Sequence, residues 1–300
     1  MATLNVADKE TLDLTYEAVL KSNENLGLLN STIGTDNPVS LDTMLTQLLY
    51  GTTFEYSTAG TYNLLIPANV SKIKVTACGG GGGGAYAVGS ANNPVSGGGG
   101  GGGADAVIDA EYSVTPQTTL SITIGVGGTA GKSDSPNGGN GGATIIGNAV
   151  TIAGGNGAVV GSEQSTSGFN TSYGAANGNG GKGGRAYVND DTSTTVLAED
   201  GSNGILGTGG IGGTADFKNR NILGVGGGGG GGSIGAGGKG ATTSGKASNS
   251  GTAAGDGTKG GGGGGGSLFG GHTTSSAYRG APGSGGDGYA KITLIVDMEV

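Results

Sequence analysis

The chain has 300 residues, of which 75 are glycine; 33% are hydrophobic, 5% are aromatic, and the formal net charge is −8. So little apolar material cannot build one large core, and an acidic chain with scattered lysines lacks the basic stripe that a nucleic acid needs. The single cysteine, Cys78, excludes an internal disulfide and a multi-cysteine zinc site, and no run is long and apolar enough to insert in a membrane.

Residues 1–50 read as a helical segment for attachment or oligomerisation. Met1 to Glu10 carry no basic region followed by an apolar run, so no secretory signal is expected. An extracellular protein of this kind would leave the cell by lysis or as part of a particle. Leu12, Tyr16, Val19 and Leu20 stand at helical spacing within residues 8–29. A second helix over residues 41–49, with Ser40 as its N-cap, lines up Leu41, Met44, Leu45, Leu48 and Leu49 on one stripe. Gly34-Thr35-Asp36-Asn37-Pro38 turns the chain between them.

Strand signals begin after residue 50. Residues 61–66 and 72–77 are short runs, and in the second Ile73, Val75 and Ala77 alternate with Lys72, Lys74 and Thr76. Leu120, Ile122 and Ile124 alternate in the same way. Residues 144–146 and 150–152 are spaced for a hairpin across Gly147-Asn148. At the far end, Ile292, Leu294 and Val296 alternate with Lys291, Thr293 and Ile295.

Between these borders, residues 79–288 are built mainly from glycine. Residues 79–84, 97–103, 226–232 and 260–266 are pure glycine, and Gly209-Gly210-Ile211-Gly212-Gly213 places glycine at two of every three positions. A period of three matches the extended left-handed helix with three residues per turn. Glycine loses more freedom on folding than any other residue, so such a region must be densely hydrogen-bonded or disordered, and the strict tracts favour order. The fold class expected is therefore mainly β and irregular. It combines short N-terminal helices, a small antiparallel β unit (strands within 54–78, 104–152 and 289–296) and an inserted bundle of polyglycine-II-like extended helices with loops over 79–288.

Phe54-Glu55-Tyr56-Ser57-Thr58-Ala59-Gly60-Thr61 opens a stretch that passes through Pro67-Ala68-Asn69-Val70 into Lys72-Ile73-Lys74-Val75 and a glycine block. This resembles the glycine-rich domain of phage tail fibre and tail appendage proteins. The ending Gly285-Gly286-Asp287-Gly288-Tyr289-Ala290-Lys291-Ile292 is similar to that family's closing strand. Asn69 stands where the family has glycine, and asparagine tolerates a left-handed backbone. The glycine region is also similar in style to the distal adhesins of T-even-like phages, in which loops between glycine helices bind the host receptor. The resemblance implies a virion or tail-like particle component. Its partners would be a bacterial cell-surface receptor, glycan or protein, and other tail or baseplate proteins met through residues 1–50. Both a homotrimer and a monomer fit it.

No residue pattern supports catalysis, a cofactor or a metal. The stretch from Gly240 to Lys246 has phosphate-loop spacing, but Ala247 stands where a hydroxyl must hold Mg²⁺. Asp190-Asp191 and Glu199-Asp200 read as solvated carboxylates, with Ca²⁺ binding as the alternative, though they do not fit the Ca²⁺ nonapeptide repeat. What remains are the segments that interrupt the glycine, because loops on a rigid scaffold commonly bind and aromatic rings offer a stacking surface. Four combinations join an aromatic residue to charge or amide groups: Tyr86 with Asn92 and Asn93; Phe169 with Asn170 and Tyr173; Tyr187 with Asp190 and Asp191; and His272 with Tyr278 and Arg279. The leading expectation is receptor binding through these loops. A purely structural spacer and an ice-binding protein are the alternatives.

Overall fold

The computed structural model describes residues 52–89, 96–161, 168–169, 171, 173–189, 196–216, 222–244, 250–271 and 278–297. The two expected N-terminal helices lie outside these residues. So do Asn92, Asn93, Asn170, Asp190, Asp191 and His272.

Two antiparallel sheets form the base. One is ordered β1 (Thr53–Tyr56), β17 (Tyr289–Val296), β3 (Val70–Cys78) and β4 (Ala106–Ser113). The other is ordered β2 (Gly60–Leu65), β5 (Thr119–Ile124), β6 (Thr144–Ile146) and β7 (Val150–Ile152). The alternation legible in the sequence sets their inner faces. Ile73, Val75 and Ala77 of β3 pack with Ile292, Leu294 and Val296 of β17, and with Ile122, Ile124, Ile146 and Ile152 of the second sheet. The hairpin of β6 and β7 forms in the register Thr144↔Ile152. Gly147 supports its turn with φ +48, where a Cβ would meet Leu120. Asn69 does not adopt the left-handed backbone; the non-glycine residues that do, among those described, are Asp109, Gln117 and Lys259.

Two more sheets stand beyond the glycine. One is ordered β16 (Tyr278–Gly280), β15 (Ser267–Gly271), β12 (Ile222–Gly226), β9 (Tyr187–Asn189) and β8 (Gly168–Phe169). The other is ordered β10 (Val196–Leu197), β11 (Thr214–Asp216), β13 (Thr242–Ser244) and β14 (Ser250–Thr252), with β11 and β13 parallel. Ala87, Ala186, Val188, Val225 and Leu268 form a second, small core there.

Extended glycine segments run between the two ends. The N–H groups of residues 79 to 84 donate in turn to the carbonyls of Asp105, Gly142, Gly286, Gly102, Gly139 and Gly283. Every third residue thus returns to the same neighbouring segment. The carbonyls of the same run accept from three further segments, through Gly155, Gly128 and Gly263. Side chains are excluded because the segments lie so close together. A Cβ on Gly81 would stand 2.7 Å from the Gly260 oxygen, and one on Gly230 would stand 2.6 Å from the Gly262 carbonyl carbon.

This arrangement corrects the expected fold class. Among the described residues there is no helix, and each glycine run bonds to other segments, as strands do, and not within itself. In place of one small β unit with an inserted bundle of extended helices, the described residues form seventeen strands in four sheets. The physical reason is lateral bonding. A backbone without side chains lets neighbouring chains approach until all their polar groups pair between segments. Where Thr, Val, Leu or Tyr replaces glycine at the segment ends, the same lateral pairing continues as ordinary β ladders.

On the outer segments, side-chain oxygens take the place of a missing neighbour. Asn137 Oδ1 accepts from Val160 N at 2.8 Å and Asn140 Oδ1 from Gly157 N at 2.8 Å. Asp200 Oδ1 accepts from Gly212 N at 2.7 Å and Asn203 Oδ1 from Gly209 N at 2.9 Å. Both pairs are three residues apart, the same period as the lattice.

Candidate functional site

The site sits where β8 and β9 form an edge of the five-stranded sheet. The segment 180–184 delivers Arg185 to the start of β9. Ala186 and Val188 turn into the small core, so Arg185 and Tyr187 stand on the other face. The two-residue strand β8 pairs with β9 in the register Phe169↔Tyr187 and Gly168↔Val188. That register sets the two rings 4.9 Å apart at 88°, an edge-to-face contact. The Arg185 guanidinium carbon lies 4.9 Å from the centre of the Phe169 ring, within cation–π range.

Glu199 comes from the segment that leaves β10. Its backbone N–H donates to the Arg185 carbonyl at 3.0 Å, and the Arg185 backbone N–H donates to Glu199 Oε2 at 3.0 Å. The side chains close the same pair. Arg185 Nε donates to Oε2 at 2.8 Å and Nη2 donates to Oε1 at 3.2 Å. Hydrogen bonds from Arg185 hold the Glu199 carboxyl below its ordinary pKa, against a smaller rise from partial burial. The same bonds hold the guanidinium charged, and the Tyr173 hydroxyl adds to that electrostatically. The pair is about 40% exposed on both sides, so it adds little stability, about 1 kcal/mol or less. It fixes two polar groups beside an aromatic ring that is 44% exposed. Tyr173 is also exposed, as is Leu197 of the edge strand β10.

The structure thus brings together Phe169, Tyr173 and Tyr187, which the sequence assigns to two different loops. Tyr86 is half-buried, and its backbone N–H donates to Pro136 O at 2.8 Å. Tyr278 and Arg279 lie in β16, at the opposite edge of the same sheet from Phe169. Four strand spacings separate them, roughly 19 Å. Sequence reasoning missed Arg185 and read Glu199 as a solvated carboxylate. The available signal was their position. They bracket the segment 186–198, a basic residue at its start and an acidic one at its end, where two antiparallel segments must meet. Asp200 is likewise committed to the lattice, through Gly212 N.

Fold and site together define a class: a β protein whose two sheet-bearing ends are joined by side-chain-free segments, with an ordered aromatic and charged patch at one end. The chain belongs to the glycine-rich domain family, whose model matches residues 57–294, well over half of its length. No curated protein matches the chain.

Proposed function

We propose that this protein recognises the host at the tip of a phage tail or a phage-tail-like particle, binding a bacterial surface structure through the end that carries β8 to β16. The observation that supports the reading is the separation of the molecule's two ends. Among the described residues the first and last strands, β1 and β17, pair with each other in the base. The exposed rings of Phe169 and Tyr173 belong to the other end, beyond the glycine lattice. A rigid lattice lets the first end be anchored while the second is presented. The resemblance at residues 54–78 and 285–292 to tail appendage domains adds to this, and residues 1–50 then serve attachment to other tail or baseplate proteins.

The test is binding of the labelled full chain to intact bacterial cells across a broad strain panel. Binding to a subset of strains, abolished by Phe169→Ala combined with Tyr173→Ala at unchanged thermal stability, is the expected result. Indifference across the panel would overturn the reading. It would favour a structural spacer instead, a role for which the laterally bonded lattice is also suited.

A further inference from the structure

We propose that Phe169, Tyr173, Arg185 and Glu199 form a subsite for a neutral pyranose of a surface glycan, an inference that rests on the host-recognition reading and narrows its ligand. Three observations carry it. The first is order before binding. Arg185 and Glu199 are locked to each other by two backbone-involving bonds and two side-chain bonds, so a ligand need not bear the cost of immobilising them.

The second is the remaining hydrogen-bonding capacity. Guanidinium carries five N–H donors, and the fork to Glu199 uses one on Nε and one on Nη2. An ionised carboxylate offers about four lone-pair sites, and Glu199 accepts three bonds from Arg185. Donors and an acceptor are therefore left side by side, the combination that adjacent sugar hydroxyls require. Beside them, Phe169 and Tyr173 expose ring surface, which suits the C–H face of a pyranose.

The third is charge. The Arg185 cation is already matched by Glu199 at 2.8 Å, and the chain carries a formal net charge of −8. A phosphorylated or uronic sugar would gain little from a neutralised guanidinium and would be repelled by the protein as a whole.

The experiment uses the full chain against immobilised neutral hexose oligosaccharides, matched acidic oligosaccharides (uronic and phosphorylated), and intact cells of the strains it binds. Neutral glycans should bind. Phe169→Ala should weaken that binding roughly thirtyfold, as loss of a stacked aromatic hot spot does. Tyr173→Ala serves as the second variant, and both should keep the parent's melting temperature. Acidic glycans binding in preference to neutral ones would overturn the proposal. So would neutral binding that neither variant changes. Cell binding without any glycan binding would overturn the sugar subsite and leave host recognition standing. Neutral glycan binding at this site without cell binding would do the reverse.

Discussion

A single methyl group placed inside the lattice is the sharpest test of how this fold is held together. A Cβ on Gly81 would stand 2.5 Å from the Gly261 carbonyl carbon and 2.7 Å from the Gly260 oxygen, and closer still to the Gly261 oxygen. Carbon contacts settle near 3.5–4.0 Å, so the two segments must separate by roughly 1 Å. The bonds between these two segments are Gly263 N to Gly82 O at 2.9 Å and Gly266 N to Ala85 O at 2.9 Å. A separation of that size takes them beyond hydrogen-bonding range. Two lost bonds strand four buried polar groups at about 1–3 kcal/mol each, so Gly81→Ala should cost about 4 kcal/mol or more. The control is Gly255→Ala, where the nearest atom to a Cβ is Lys239 N at 3.2 Å and the next lies at 3.6 Å. There, a shift of a few tenths of an ångström is set against the entropy that alanine removes from the unfolded chain, about 0.4–1 kcal/mol. Gly255→Ala should therefore stay within about 1 kcal/mol of the parent. Calorimetry should place Gly81→Ala roughly 10 °C below the parent and Gly255→Ala close to it. Equal melting temperatures for the two variants would refute the argument that close backbone approach holds the segments together.

Two other expectations are cheaper to test. Asn140→Ala removes the acceptor for Gly157 N and should cost about 1 kcal/mol, while Asn140→Asp should cost less; equal loss in urea titrations of both would show that the side-chain oxygen is not what matters. Burial pushes Cys78 up to about 11, and pushes Tyr56 and Tyr289 up to about 12, Tyr62 and Glu55 adding to the two tyrosines respectively. Above pH 9 the native state thus keeps protons that the unfolded chain has lost, so stability is full below about pH 9 and falls as pH rises through 11 to 12. A melting temperature that is flat from pH 8 to 11, or that falls identically in Tyr56→Phe, would contradict this.

The sequence announced the base far better than the opposite end, and the reason is physical. Ile73, Val75 and Ala77, and likewise Ile292, Leu294 and Val296, bury one side of long strands, so the alternation is written locally. The strands at the other end are short and contain glycine. Two of the five residues in β12 are glycine, and its partners come from residues 187–189 and 267–271. Pairing between such distant pieces leaves no periodic mark. The same holds for the site. That Phe169 and Tyr187 are rings on interrupting segments was readable, but their edge-to-face contact depends on the register of β8 with β9. The role of Arg185 depends in turn on the segment that brings Glu199 beside it. The three-residue period of the glycine tracts is the period with which a segment changes bonding partner.

A lattice bonded laterally through bare backbone has no inherent boundary, since each outer segment presents N–H and C=O groups to whatever chain comes next, as an edge strand does. The outer segments of this protein break that continuity in two ways. Asn137, Asn140, Asp200 and Asn203 consume donors with their own side-chain oxygens. Val126, Val159, Leu206 and Ile211 place large side chains on the exposed faces, where an interior segment would carry glycine. A further glycine segment, from this chain or another copy, would meet those side chains and lose the close approach on which the packing depends. The interior and the boundary therefore follow opposite rules. Inside, a Cβ at most of the glycine positions pries the segments apart. At the surface, a side chain at every third position ends the lattice, and the segment ends carry rings and charges.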